Sequence, residues 1–522
     1  MKIMRKIAML LLAVMLIGTF AACNRGGGGG GNTNPAGDGD YTKLTGEVRF
    51  ILPGDAEPAD ADTVTAAINA ALKEDGRNYT VSFEYESWAN YWNRLGLIAN
   101  EGYDACWMHA DYLASFYGQR ILKPLDAFVD AYGETLKETT PDVYWNTAKV
   151  AGELYAIPRV APLSESNTVF TVRGDWMEEY GMTEITTLEQ LDTYLSKTYD
   201  KLSSVEGAYV MDKDHSDYLR REYSKNYYFP LGSFSKYPVY IDMSQKIDGK
   251  YLVQSYYESD AFKNTVIKAN EYFKAHYKRS SRSSLDANLM DASFNAGLLG
   301  FNWSTPQKIT ERIDAFKQEQ PDGELYEGML NPDETRWIVK GENSIACFAN
   351  SSKTEHVIDF LSWMREDQAN FDLVAYGIEG ENYNLTEDGR LDLSEIPDDK
   401  NYSAIFPAFA FSTTDNIRYS AAVSDSEIER MSNWDTGENV KVSPLIGFAP
   451  EYRGIFNTAY AQVSAIEMQY SEDFMYGLYD ITTGEGKTRY DTFISTLKAN
   501  GLDTLISELQ KQVDEFVAEN NL

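Results

Sequence analysis

The chain has 522 residues and a formal net charge of −33, from 80 acidic and 47 basic side chains. So acidic a protein repels nucleic acid and anionic lipid headgroups, which argues against a nucleic-acid-binding or membrane-surface role. Hydrophobic residues at 43% and charged ones at 24% suit a globular body, and the length is too great for one core and fits two lobes or more.

The N-terminus runs Met1-Lys2, Arg5-Lys6, an apolar stretch from Ile7 to Phe20, then Ala21-Ala22-Cys23. Basic, apolar and small residues in that order read as a signal peptide over 1–22. Small residues directly before a lone cysteine resemble a bacterial lipobox, although Phe20 stands where lipoboxes prefer leucine. On this reading the chain is cut before Cys23, whose thiol carries a lipid, and 23–45 with its run Gly26–Gly31 is a flexible tether. A coil of ~20 residues spans roughly 25 Å on average. The competing reading is an ordinary secretory signal cut after Ala22. The apolar run is shorter than the ~20 residues a membrane span needs.

From Gly46 onward the periodicities are clear. Glu47–Leu52 reads as a strand, Asp60–Leu72 as a helix and Asn78–Tyr85 as a strand. Ser87 stands at the N-cap of a helix over Trp88–Asn100 that Gly102 stops. Tyr103–Met108 is a strand and Ala110–Tyr117 a helix. This alternation predicts an α/β lobe with a largely parallel sheet. Leu122–Asp126 is a loop, Gly152–Pro158 a turn and strand, and Thr168–Arg173 a strand. Asp175 caps a short helix over Trp176–Tyr180, and Thr187 caps Leu188–Tyr199. Tyr223–Tyr257, rich in Tyr and Phe, predicts turns and short strands. Phe262–Tyr277 is helical, Gly297–Trp303 a strand, Ile345–Asn350 a strand and Thr354–Met364 a helix. The chain closes on helical spacing over Glu451–Tyr470, Tyr490–Asn500 and Asp503–Glu519.

Little here points to covalent or metal chemistry. With Cys23 lipidated, Cys106 and Cys347 remain; whether they pair stays open, and two buried thiols fit as well. His109, His215, His276 and His356 lie far apart, without zinc-site spacing. No cofactor, no metal and no catalytic residue is expected. The aromatic content is the anomaly: 13%, with 36 Tyr and 9 Trp. Flat apolar faces with polar handles suit a site that stacks on sugar rings while binding their hydroxyls, although most of these residues must serve packing.

Several segments, in this order, resemble family 1 extracellular solute-binding proteins of ABC importers. They are Tyr103-Asp104-Ala105 leading to Leu122–Asp126, Gly152–Pro158 (GELYAIP), and Val172–Trp176 with Tyr180-Gly181-Met182. Ser351-Ser352-Lys353, Tyr376–Gly380 with Tyr383, and the tail Leu497–Phe516 follow. The likeness is greatest to the large Gram-positive lipoprotein subgroup with an extra helical C-terminal region. Gly174 and Asn382 depart from its pattern, where basic residues are usual. The resemblance implies an α/β, two-lobed periplasmic-binding-protein-like (type II) clamp with a hinge and a helical C-terminal region. The expected division is 46–158 plus 325–395 for lobe 1, 159–324 plus 396–470 for lobe 2, and 471–522 as C-terminal helices packed on the lobes. It also implies a monomer on the outer face of the cytoplasmic membrane, lipid-anchored and extracellular. This monomer captures a small-molecule ligand, an oligosaccharide by the aromatic excess, and delivers it to the transmembrane subunits of an ABC permease.

The ligand-contact candidates follow from strand ends and lobe crossings. Trp88 and Trp92 open the helix after the second strand, a position where ligands meet α/β sheets. Tyr91 and Trp92 could equally pack between helix and sheet. Trp107 ends the next strand, with His109 and Asp111 beyond it, a carboxylate able to take two sugar hydroxyls. The resemblance adds Trp303; Arg159 and Glu165 follow the crossing at Pro158, and Trp337 and Trp434 are weaker candidates. Rival readings are a binding protein for a peptide or a cationic solute, a ligand-sensing receptor component, and a secreted glycoside hydrolase. The last needs two carboxylates flanking a cleft ~5–10 Å apart. No nucleophile elbow G-x-S-x-G appears in the chain.

Overall fold

A computed structural model describes residues 37–160, 169–212, 216–232, 236–279, 287–304, 308–338, 343–402, 411, 413, 415–432, 434 and 440–522. The signal and Cys23 fall outside these residues.

The first sheet forms as the alternation demands. Strand β1 (Thr45–Pro53) leads to helix α1 (Ala61–Glu74), strand β2 (Asn78–Glu86), helix α2 (Trp88–Ile98), strand β3 (Ala105–His109) and helix α3 (Ala110–Gly118). After three short helices the chain returns as β4 (Ile157–Pro158). It then crosses to β5 (Val169–Arg173), followed by α4 (Leu188–Leu202) and α5 (Ser216–Tyr223). Three short strands come next, β6 (Tyr227–Tyr228), β7 (Val239–Asp242) and β8 (Val253–Ser255), then helix α6 (Asp260–Lys274). Strand β9 (Phe301–Ser304), helix α7 (Lys308–Glu319) and strand β10 (Leu325–Met329) complete the second sheet. The chain crosses back to β11 (Asn343–Cys347) and helices α8 (Thr354–Glu366) and α9 (Gln368–Ala375). It ends on α10 (Gly454–Tyr476), α11 (Gly484–Ala499) and α12 (Leu502–Glu519).

Sheet order is β2-β1-β3-β11-β4, with β2 and β3 parallel to β1 and β11 antiparallel to both of its neighbours. The alternation of β1 puts Val48, Phe50 and Leu52 into the core, each fully buried. Phe50 meets Phe83 and Phe360, both at 5.4 Å between ring centroids. Helix α8 is buried almost all round, so it carries a compensated charge rather than a polar face. Arg77 Nε donates to Asp359 at 2.9 Å, and the Tyr79 hydroxyl donates to the same carboxylate at 2.6 Å. Arg77 Nη2 also reaches Glu366 at 2.9 Å, so removing Arg77 would strip the buried Asp359 of its cation, whereas removing Asp359 would leave Arg77 one carboxylate.

The second sheet, β9-β5-β10, is antiparallel throughout. Leu325–Met329, which the sequence reading opens lobe 1 with, pairs along Val169–Arg173 and belongs to this second sheet. Its residues are buried on both faces, Glu327 included, a pattern that does not say which sheet receives them. The third sheet, β8-β7-β6, shares a core with α6 and α10–α12. The C-terminal helices therefore pack on the elements that follow the first crossing.

Cys106 lies opposite Ala346, and Cys347 opposite Ala105. Neighbouring residues on a strand point to opposite faces, so the two thiols lie on opposite sides of the sheet and stay unpaired. Among the described residues no helix is long and apolar enough to cross a membrane.

Candidate functional site

The parallel strands β1, β2 and β3 end at a common edge, and the start of antiparallel β11 and the end of β4 join them there. Helix α2 begins on that edge. Ser87 occupies its N-cap position, but its hydroxyl turns to Glu86; the first free amide, Trp88 N, donates to Asp55 Oδ1 at 3.1 Å. The loop after β1 thus fixes the start of the helix and holds Trp88 outward. Its side chain is 44% exposed, uncommon for tryptophan.

Behind Trp88 lies a stack of rings. Trp107 is 3% exposed and meets the edge of Trp88 at 5.5 Å and Trp92 at 5.0 Å. Trp92, half-buried, lies flat against Tyr112, 4.0 Å between centroids at 13°. Burial pushes the Tyr91 phenol well above its usual range, so it stays a neutral donor to the Trp107 carbonyl at 2.7 Å. The Trp107 indole Nε1 donates to Asn343 Oδ1 at 3.0 Å, and Arg159 N donates to the Asn343 carbonyl at 3.0 Å. Asn343 therefore ties the aromatic wall to the first residue of the crossing. The Tyr91 and Trp107 donors are both matched, which braces the wall from behind.

The structure thus brings together Trp88, Trp92, Trp107 and Arg159. Trp107 and Arg159 are 3% and 8% exposed; Asn343 takes the indole of the first and the backbone amide of the second. Glu165 and the Asp111 side chain lie outside the described residues. Trp303 closes β9 on the second sheet, where the chain enters and leaves that lobe. Trp337 lies apart: its strand, Arg336–Ile338, pairs with Val440–Val442, and its ring packs against the third-sheet core under Lys441. Trp434, a weaker candidate from the sequence, is buried in the core around α7. Sequence reasoning did not single out Asn343 or Asp55. Both act on residues at least 33 positions away, which no local pattern reveals. Among the described residues no group of His, Cys, Asp or Glu could hold a metal ion.

Comparison with known proteins agrees with this architecture. A family model described as a domain of unknown function, DUF3502, matches residues 444–518, which span α10 to α12. No curated protein matches the chain by sequence. Among solved structures, the N-glycan transport solute-binding protein NgtS of Streptococcus pneumoniae superposes with a TM-score of 0.70 at 17% identity, over 91% of this chain and 99% of that one. A human-milk-oligosaccharide-binding, ABC-transporter-associated solute-binding protein of Bifidobacterium longum infantis gives 0.57 at 14% identity, over 90% and 99%. The S. pneumoniae ABC-transporter substrate-binding protein FusA, solved with kestose, gives 0.56 at 13%, over 91% and 100%. The chain has the fold of ABC-transporter solute-binding proteins, two-lobed and α/β with a helical C-terminal region.

Proposed function

We propose that this chain is an extracellular substrate-binding lipoprotein that captures an oligosaccharide by lobe closure and delivers it to the permease of an ABC importer. The observation that carries the reading is Trp88: an indole 44% exposed at a helix N-terminus, on the carboxyl edge of parallel strands, against a braced aromatic wall. A sugar ring offers an apolar C–H face to such an indole and hydroxyls to the polar groups beside it. The neighbours in fold support the class, since their own ligands include N-glycan fragments and kestose. Closure needs only a ligand that binds the closed form better than the open one, and no chemistry on the ligand. Cys23 is the anchor in this reading, with the glycine run as tether and the outer face of the cytoplasmic membrane as the location.

The test is thermal unfolding of the protein from Gly37 onward against oligosaccharides, peptides and polyamines. A ligand at about 100 times its Kd adds about 2.7 kcal/mol of stability. The expected outcome is a shift with one oligosaccharide series, unaccompanied by breakdown of the sugar, that shrinks in Trp88→Ala. Shifts with peptides or polyamines alone would overturn the carbohydrate reading; release of shorter sugars would overturn binding without catalysis.

A further inference from the structure

The second sheet carries a tryptophan of its own at the crossing, with an arginine over its ring. Trp303 pairs with Phe170 near the start of β5, and β10 leaves the sheet opposite Val169. The crossing from the first sheet enters, and the return leaves, at this end. Helix α5 stands beside it, for Asn331 Nδ2 on the return segment donates to Glu222 Oε1 at 2.6 Å.

One residue before Glu222, the Arg221 guanidinium lies 5.2 Å from the centroid of the Trp303 ring. Its carboxylate partner is already taken. Arg220 holds both oxygens of Asp217, at 2.6 Å and 3.0 Å, and Arg221 reaches only Oδ2, through Nε, at 3.3 Å. A guanidinium has five N–H donors in a fixed fork, and among the described residues only Nε of Arg221 is bonded. The Arg220 side chain is 7% exposed, whereas that of Arg221 is 26% exposed and lies over the indole. Below the strand, Arg312 Nη1 donates to Thr171 Oγ1 at 3.2 Å and to the Trp303 carbonyl at 3.4 Å, with Asp291 3.4 Å from its Nε. Two guanidiniums, of Arg221 and Arg312, thus flank Trp303, whereas that of Arg220 turns away to the Tyr237 ring, 3.9 Å from its centroid.

We infer that Trp303 and Arg221 form a subsite for an acidic sugar unit, whose ring stacks beside the indole while its carboxylate takes the open fork of Arg221. A planar carboxylate matches two parallel guanidinium N–H donors, which neutral hydroxyls do not. The inference rests on the carbohydrate reading above and narrows it from oligosaccharides in general to those bearing a uronate or sialate.

The experiment is calorimetric binding of matched pairs: lactose against 3′-sialyllactose, and xylotetraose against its glucuronate-bearing counterpart. Wild type, Arg221→Gln and Arg221→Lys are compared. In wild type the acidic member of at least one pair is expected to bind about tenfold or more tightly than its neutral counterpart, the strength of a charge-assisted pair. Arg221→Gln should close that gap, and Arg221→Lys, which keeps the charge but loses the fork, should leave it partly open. Equal binding of acidic and neutral members in wild type would overturn the acidic subsite and leave sugar capture standing. A gap that persists in Arg221→Gln would overturn the role of Arg221. Binding of no sugar in either series would overturn the carbohydrate reading and this inference together.

Discussion

Asn382 is fully buried and bonded in every direction. Its Oδ1 accepts from Ile378 N at 2.8 Å, and its Nδ2 donates to Asp60 Oδ2 at 3.0 Å and to the Lys400 carbonyl at 2.9 Å. Gly377, with φ of 93°, lies so close that a Cβ there would meet Asn382 Oδ1 at 2.6 Å. These contacts explain the Tyr376–Gly380 motif as a structural staple, with the departure at Asn382 as its hub. Asn382→Ala and Gly377→Ala should each lower stability by about 2 kcal/mol, seen as a lower urea midpoint at unchanged slope. An unmoved midpoint would sink the staple. Glu467 is a second buried hub: Tyr257 donates to its Oε1 at 2.6 Å, and Oε2 is buried without a partner. Burial, opposed by that hydrogen bond, lifts its carboxyl from 4.5 to about 7. Between those values the unfolded chain releases a proton that the native chain retains, so stability falls as pH rises through the window. Glu467→Gln should flatten the decline between about pH 5 and about pH 8, measured as midpoint against pH; an equal decline in both proteins would refute the assignment. Residue identity was legible at Trp88, whose position follows from one strand and one helix. It was not legible at Trp107, because burial there depends on Asn343, 236 positions away.

Elements with their signals inside the segment were read nearly to the residue. Thr187 closes a full capping box with Gln190, as its place before an apolar run requires. By contrast, Asp175 does not cap its helix; Arg173 takes that position, and its guanidinium pairs with the Asp175 carboxylate. Helix α7 escaped notice, since Lys308–Glu319 follows a strand with little to mark its start. The tail motif gains a mechanism from α12. Gln510 Oε1 accepts from Val253 N at 2.8 Å and its Nε2 donates to the Tyr251 carbonyl at 3.0 Å. An amide side chain thereby pairs with the outer edge of strand β8, as a further strand would. Gln512 does the same for the Glu451 amide, at 2.8 Å. Gln510→Leu keeps the bulk and removes both bonds; it should cost about 1–3 kcal/mol and speed exchange of the Val253 amide. Protection of that amide equal to wild type would show the pairing to be incidental.

At the scale of the molecule, the C-terminal helices are welded to the body behind the second sheet. Helix α6 belongs to two cores at once: Phe262 and Val266 pack with α10–α12, while Ala269 and Tyr272 pack with β5 and α4. Gly477, which ends α10 with φ of 88°, sits where a Cβ would meet the Ala269 carbonyl oxygen at 2.2 Å. Asn270 Nδ2 donates to the Gly477 carbonyl at 2.7 Å, and Lys278 Nζ to that of Tyr476 at 2.9 Å. The sequence showed three late helices but not this seam, because a glycine reads as a helix stop whether or not a neighbour presses on it. The same limit hid the sheet to which Leu325–Met329 belongs: a strand buried on both faces, its Glu327 included, has no solvent face to orient it. If the seam joins the two cores, loosening it must release them together and spare the first sheet. Gly477→Ala should therefore destabilise by about 3 kcal/mol, through both strain and close contact. In native-state hydrogen exchange, α6, α10 and α12 should accelerate jointly while β1, β2 and β3 keep their protection. Acceleration confined to α12 would mean a detachable appendage, and equal acceleration in β1–β3 would mean one cooperative body. The expected intermediate pattern fits a clamp in which the C-terminal helices move with the second sheet as one rigid jaw.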